Sequence, residues 1–347
     1  FQKNFPKSKA ICESLLEYKD DRILNDFGNK KIDVIVGGPP CQGFSSANRW
    51  QKENEDPRNK LFFEYLRFVE LLKPKAVVIE NVRGILTRDN GFAKDRIEKL
   101  LKDLGYTVNC EVLNASDYGV PQNRPRVLIV GIKSTIVKNH SDDMDAVSEG
   151  FLPDIIGDYP NLKEIFSDII DKDFEYGGET KIYPSNPKTS WQADLRTMPN
   201  GKLLSKGDPM TEHEYSNHNQ RTRAKFQSMI NNKGVITDEF KTKKFAQRLL
   251  PKEWGNKGPT ITITSLPDDF VHYEQARTPT VRECARMQTF PDWYKFAGKR
   301  TTGGIRRAGN PRQNIFDREV PKYTQIGNAV PVKLAKEIGI HFRKILT

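Results

Sequence analysis

Two hydrophobic patterns alternate along roughly the first 130 residues. Short apolar runs bounded by turn formers predict buried strands, and apolar residues at helical spacing between them predict helices. Residues 31–38 (KIDVIVGG) are an apolar run that meets Gly-Gly-Pro-Pro, which cannot continue a strand. Residues 61–73 (LFFEYLRFVELLK) carry a helical stripe that stops at Lys73-Pro74. Residues 76–81 (AVVIEN) predict a second buried strand, and residues 96–106 (RIEKLLKDLGY) a helix ended by Gly105. Residues 107–119 then alternate like a strand, and residues 126–132 (RVLIVGI) form another buried run. The order strand, helix, strand, helix, strand, strand predicts an α/β domain: at least half of a doubly wound, Rossmann-like and mostly parallel sheet.

The pattern dissolves between about residues 133 and 278, where polar residues dominate and Asn, Asp, Lys and Pro punctuate. That stretch predicts a second, smaller, irregular domain with one clear helix at residues 221–231. Order returns with a helical segment at 282–288, a basic glycine-rich loop at 300–312 and an amphipathic helix at 332–346. The expected organisation is therefore a first domain over 1–132, an irregular one over 133–278, and a return to the first over 279–347.

Composition narrows the classes. The 347 residues suit about two domains, and 19 Phe, 11 Tyr and 4 Trp supply a core, which excludes wholesale disorder. No apolar run approaches the ~20 residues that span a bilayer, and no signal peptide opens the chain, so a soluble cytoplasmic protein without a membrane partner is expected. Lys and Arg number 56 against 45 Asp and Glu, and a net charge of +11 favours a polyanionic partner, nucleic acid before membrane. A generically basic protein is the plain alternative. Cys12, Cys41, Cys110 and Cys284 are scattered and far in sequence from every histidine, which argues against a disulfide scaffold or a bound metal and for a reducing compartment.

The sharpest chemistry lies in GGPPCQGFS, residues 37–45. Ligands and catalytic groups gather beyond the carboxyl ends of the strands in an open α/β sheet, and Cys41 falls there among turn formers. The alternative is a buried cysteine acting as a small hydrophobe. A thiol nucleophile needs a thiolate and a partner that handles protons. Glu80, closing the apolar strand AVVIEN, is the candidate, with a buried ion pair as the competing explanation. Arg124 and Arg126 in GVPQNRPR would share a face if extended, toward Glu80 and Cys41 should that strand be adjacent. A solvated pair is the bland alternative.

GGPPCQGFS, ENV (80–82), QNRPR (122–126), RECARMQTFP (282–291) and GNAVP (327–331), in that order, resemble the motifs of the C5-cytosine DNA methyltransferases of bacterial restriction–modification systems. DPRNKLFF and EVLNASDYGVPQ match as well, and the likeness covers about residues 1–132 and 279–346. The resemblance implies methyl transfer from S-adenosylmethionine to C5 of a cytosine in a specific double-stranded DNA sequence. It implies that Cys41 adds to C6 of a flipped-out base, that Glu80 hydrogen-bonds or protonates N3, and that Arg126 binds O2 with Arg124 close by. Pro40, Leu61, Asn328 and Val330 match cofactor contacts, and residues 42–59 match a closing loop with Gln42 and Ser45 nearest the DNA. Residues 133–278 become a target recognition domain, Arg282 and Arg286 packing residues, and the 300–312 loop a candidate phosphate grip.

One departure stands out. The family's glycine-rich turn and the acidic residue that follows it are missing, the chain opens with FQKNFP, and Glu13 or Ser14 stands where the family has an adenine-contacting Asp. The expectation is a truncated segment or one carried on another polypeptide, hence a monomer or a pair with that chain, with a cognate restriction endonuclease as possible partner. A tRNA cytosine-5 methyltransferase of the same fold and a non-catalytic or split-enzyme DNA-binding subunit are the alternative functions.

Overall fold

The computed structural model describes residues 1–39, 60–87, 91–140 (without the His140 side chain), 147–242, 246–253, 269–301 and 319–347. The chain forms two compact units, each assembled from separate segments. One comprises residues 7–114, 125–155 and 337–347, and the other residues 1–6, 115–124 and 156–336. Sequence pattern predicts a first domain over 1–132 and 279–347, interrupted by an irregular one over 133–278.

The first of these units is the sheet. Strand β1 (Val34–Gly37) leads toward the Gly-Pro turn, and helix α1 (Lys60–Leu72) follows. Its Phe62, Tyr65, Leu66 and Val69 lie at i, i+3, i+4 and i+7 and are all buried, as a one-faced helix requires. Strand β2 (Ala76–Asn81) is fully buried through Ile79 and opens to solvent only at Glu80 and Asn81. Helix α2 (Phe92–Asp103) buries Ala93, Ile97 and Leu101 and stops at Gly105, whose φ of +86° suits glycine. Strands β3 (Tyr106–Asn114) and β4 (Pro125–Lys133) complete the unit. Phe62, Val77, Ile79, Ile97, Leu101, Val127 and Ile129 join in one core.

The strand order is β1-β2-β4-β3, with β1 parallel to β2 and β4 antiparallel to both β2 and β3. The expectation of a mostly parallel sheet is therefore corrected: among the described residues it is mixed. The link from Asn114 to Pro125 is too short for the crossover of about a dozen or more residues that parallel neighbours need. The reversal follows from that length.

In the other unit the segment that reads as irregular contributes to a packed core. Helices α3 (Leu162–Phe166) and α4 (Ser190–Arg196) are capped by Asn161 and Thr189, and α5 is Gln220–Asn231. Pattern predicted only the last, because helices this short give too few turns for a period to emerge. Helices α6 (Val281–Met287) and α7 (Lys322–Asn328) lie in the same unit, and α8 (Val332–Leu346) ends the chain. Leu162, Ile165, Phe166 and Ile169 share a core with Cys284, Ala285, Met287, Tyr323 and Ile326. Residues from the variable-looking stretch and from RECARMQTFP thus pack together. Among the described residues no helix is long and apolar enough to cross a membrane.

Much of that core is ionic. Arg196, Arg277, Arg282 and Arg286 are fully buried. Arg286 pairs with Asp168 and Asp292, Arg196 with Asp168, and Arg277 with Glu283. Such charges survive burial only when paired and hydrogen-bonded, which each of these is. Arg282 and Arg286 are packing residues here, as their sequence context suggested.

Candidate active site

The site is built where β1 and β2 end side by side. Parallel register sets Gly37 opposite Ile79, so Glu80 and Asn81 lie one and two positions beyond the end of the β1 ladder. The hydroxyl of Tyr65 on α1 donates toward the carbonyls of Ile35 and Val78, at 3.1 and 3.2 Å. Burial pushes the Tyr65 hydroxyl far above its ordinary pKa, so it stays protonated and serves as a fixed donor.

Gly37 is needed for space, and Gly38 sits close against a carboxylate. A Cβ on Gly37 would lie 2.7 Å from the Tyr65 ring, and one on Gly38 would lie 3.3 Å from Glu80 Oε2. The chain therefore leaves β1 pressed between an aromatic ring and a carboxylate. Asn81 Nδ2 donates to the Pro39 carbonyl at 3.3 Å, which ties the exit to the end of β2. Cys41 follows Pro39 by two residues. Pro40, Cys41, Gln42 and Ser45 lie outside the described residues.

Glu80 faces Arg126. Antiparallel pairing puts Glu80 opposite Leu128 and Asn81 opposite Val127, and Arg126 precedes them at the start of β4. Arg126 Nε lies 2.8 Å from Glu80 Oε1, and its Nη1 donates to the Pro125 carbonyl at 2.9 Å. Neither side chain is sealed: Arg126 is 17% and Glu80 21% exposed. A carboxylate and a guanidinium presented together at a sheet edge can bind adjacent polar atoms of one planar ligand.

Arg124 has other partners, and the expectation that it shares a face with Arg126 is corrected. Its Nη2 donates to the carbonyls of Gly327 and Ala329, at 2.6 and 3.2 Å. The reason is positional: β4 begins at Pro125, so strand alternation does not extend to Arg124. Asn328, between those two carbonyls, is exposed, and Val330 is half-buried. Leu61, in the first turn of α1, is 38% exposed. The exposed Asn328 amide in one unit and the accessible Leu61 side chain in the other are each of a kind that fits a nucleoside–amino-acid cofactor such as S-adenosylmethionine.

Burial raises the Cys110 thiol to about 11 and pushes Cys284 well up, so neither is a ready thiolate. Sequence reasoning overlooked Tyr65 and Asn81, and it read Gly37 and Gly38 only as a strand stop. The Gly-Gly pair was the available signal of a close approach. Nothing in the pattern marked which ring approaches.

Residues 1–344 match the family described as C-5 cytosine-specific DNA methylase. The chain is 35% identical over 329 residues to the type II methyltransferase M.DdeI of Desulfomicrobium norvegicum, spanning 89% of this chain and 72% of that protein. It is 30% identical over 346 residues to M1.HphI of Haemophilus parahaemolyticus, spanning 98% and 76%. A crystal structure described as a DNA modification methyltransferase encoded within an E. coli prophage is similar at a TM-score of 0.70 and 22% identity, covering 99% of this chain and 88% of that one. At that identity the likeness supports the fold, which is that of the methyltransferases. The five ordered motifs and the match over nearly the whole length agree, and the chain belongs to the C-5 cytosine-specific DNA methylase family.

Proposed function

We propose that this protein methylates C5 of a cytosine within a specific double-stranded DNA sequence, with Cys41 as nucleophile and Glu80 and Arg126 holding the target base. The observation that carries the reading is the Glu80–Arg126 pair at 2.8 Å beside the Gly37–Gly38–Pro39 exit that leads to Cys41. A cytosine presents N3 and O2 on one edge, and a carboxyl with an adjacent guanidinium complements that edge.

Cytosine C5 is a weak nucleophile. Addition of the Cys41 thiolate to C6 pushes electron density onto C5, and hydrogen bonding or proton donation by Glu80 at N3 accepts part of the displaced charge. Arg126 binds O2 and keeps Glu80 oriented. When bound, S-adenosylmethionine supplies an electrophilic methyl group to this chemistry; Pro40, Leu61, Asn328 and Val330 are the residues that would hold it. Loss of the C5 proton to water, return of any N3 proton to Glu80 and expulsion of the Cys41 thiolate then restore the ring. Because C6 is out of reach inside a duplex, the base is extruded, with Gln42 and Ser45 against the DNA. Residues 133–278 read the flanking sequence through base-edge contacts, and the surplus of Lys and Arg grips phosphates.

Trapping is the test. A duplex carrying 5-fluorocytosine at the target should form a covalent adduct with the protein and cofactor, because fluorine does not leave as the C5 proton does. Cys41→Ser should form none while still shifting DNA in a gel. Methylation by Cys41→Ser, or no adduct with the native protein, would remove Cys41 from the role.

A further inference from the structure

We propose that Gln122, Arg124 and Gln288 are positioning residues that hold the turn carrying Asn328 and Val330 in its ligand-binding shape. The inference rests on the cofactor reading above. Helix α7 ends at Asn328 and α8 starts at Val332, so carbonyls and amides without intrahelical partners crowd into a few residues. Two neighbouring segments, around Arg124 and around Gln288, satisfy them. Gln288 Nε2 donates to the Ile326 carbonyl at 3.1 Å, and Arg124 Nη2 donates to those of Gly327 and Ala329. On the other side, the amide of Val332 donates to the Gln288 carbonyl at 3.0 Å and that of Lys333 to Thr289 Oγ1 at 2.9 Å.

The clamp is itself braced. Gln122 Nε2 donates to the Met287 carbonyl at 2.7 Å and to Gln288 Oε1 at 3.1 Å, which fixes the orientation of the Gln288 amide. Gln122 and Gln288 are each 1% exposed and Arg124 is 6% exposed, whereas Asn328 between the gripped carbonyls faces solvent. Thr289 adds a further sign. Its φ of +57° is one that β-branched residues rarely adopt, and it occurs where Gln288 and Thr289 meet the start of α8. A buried base that fixes the backbone under an exposed amide is how a binding group is preorganised, so that little ordering remains when ligand arrives. QNRPR, RECARMQTFP and GNAVP, far apart in sequence, meet in this one device.

The test uses the full-length protein with Gln288→Leu, Gln122→Leu, Arg124→Met and Arg124→Lys, and Asn328→Ala as reference. Hydrogen exchange should quicken at the amides of residues 326–333 in Gln288→Leu. The dissociation constant for S-adenosylmethionine, by calorimetry, should rise about two- to tenfold, the worth of a hydrogen bond or two. KM for the cofactor should rise by a similar factor with kcat less changed, DNA affinity should hold, and Arg124→Lys should recover part of what Arg124→Met loses. Should Arg124→Met not fold, the two glutamine variants carry the test. Unchanged exchange and cofactor affinity in Gln288→Leu, with Asn328→Ala clearly weakened, would overturn the clamp alone. An Asn328→Ala variant that binds cofactor normally would overturn it together with the cofactor reading.

Discussion

Replacing Arg286 with Met removes the most heavily bonded charge in the chain's ionic core. Its Nη1 donates to Asp168 Oδ1 and to the Ile165 carbonyl, both at 2.6 Å. Its Nη2 reaches Asp292 Oδ2 at 2.5 Å and Asp168 Oδ2 at 3.2 Å, and its Nε reaches Asp292 Oδ1 at 3.0 Å. Removing one member of a buried ionic cluster typically costs about 3–5 kcal/mol, because the remaining charge is stranded in low dielectric. Here the stranding is incomplete. Asp168 keeps Arg196 Nε at 2.7 Å, and Asp292 keeps the Tyr183 hydroxyl at 2.8 Å with Arg282 Nη1 at 3.6 Å. The lower end applies, roughly 3 kcal/mol, or a fall in Tm of about 6–12 °C for a unit of this size. Arg286→Lys keeps the charge but not the planar fork and should lose less. Thermal unfolding followed by circular dichroism measures this, alongside DNA affinity at a temperature where both proteins are folded. A loss below about 1 kcal/mol together with a sharp drop in DNA affinity would show that Arg286 serves the duplex and that the packing argument is wrong.

Acid should loosen the same unit before carboxylates titrate. Burial depresses His213 to about 4 and His272 to about 3, so both are neutral when folded, and the unfolded chain binds the extra protons. Their contribution is fully present above the ordinary histidine value near 6.5 and is lost as pH falls through the window from about 6.5 to about 4, at up to roughly 1.4 kcal/mol per pH unit per histidine. Urea unfolding at pH 7, 6 and 5 should show the decline, and a flat profile would contradict it. Glu80→Gln keeps the side chain's shape but cannot donate a proton to N3, so turnover should drop by about 10²–10⁴ with DNA affinity nearly unchanged. Unaltered turnover would leave Glu80 as no more than the ion-pair partner of Arg126.

Local pattern determined a good part of this protein. The apolar runs that became β1, β2 and β4 and the one-faced stripes of α1 and α2 were legible because each is long enough to show its period. The order of GGPPCQGFS, ENV, QNRPR, RECARMQTFP and GNAVP carried the family, since short motifs in fixed order record chemistry that composition does not. Tertiary structure decided the rest. That β4 inserts antiparallel between β2 and β3 depends on the length of one connection, and a buried run reads the same in either direction. Arg124 and Arg126 are two residues apart, yet one binds the carbonyls of Gly327 and Ala329 and the other Glu80, a division no spacing rule contains. The polar look of the stretch after residue 133 concealed a core, because Asp168 is buried there against Arg286, more than a hundred residues away in the chain, and Arg196 against Asp168. Charged side chains read as surface until their partners are known, and the partners come from the fold.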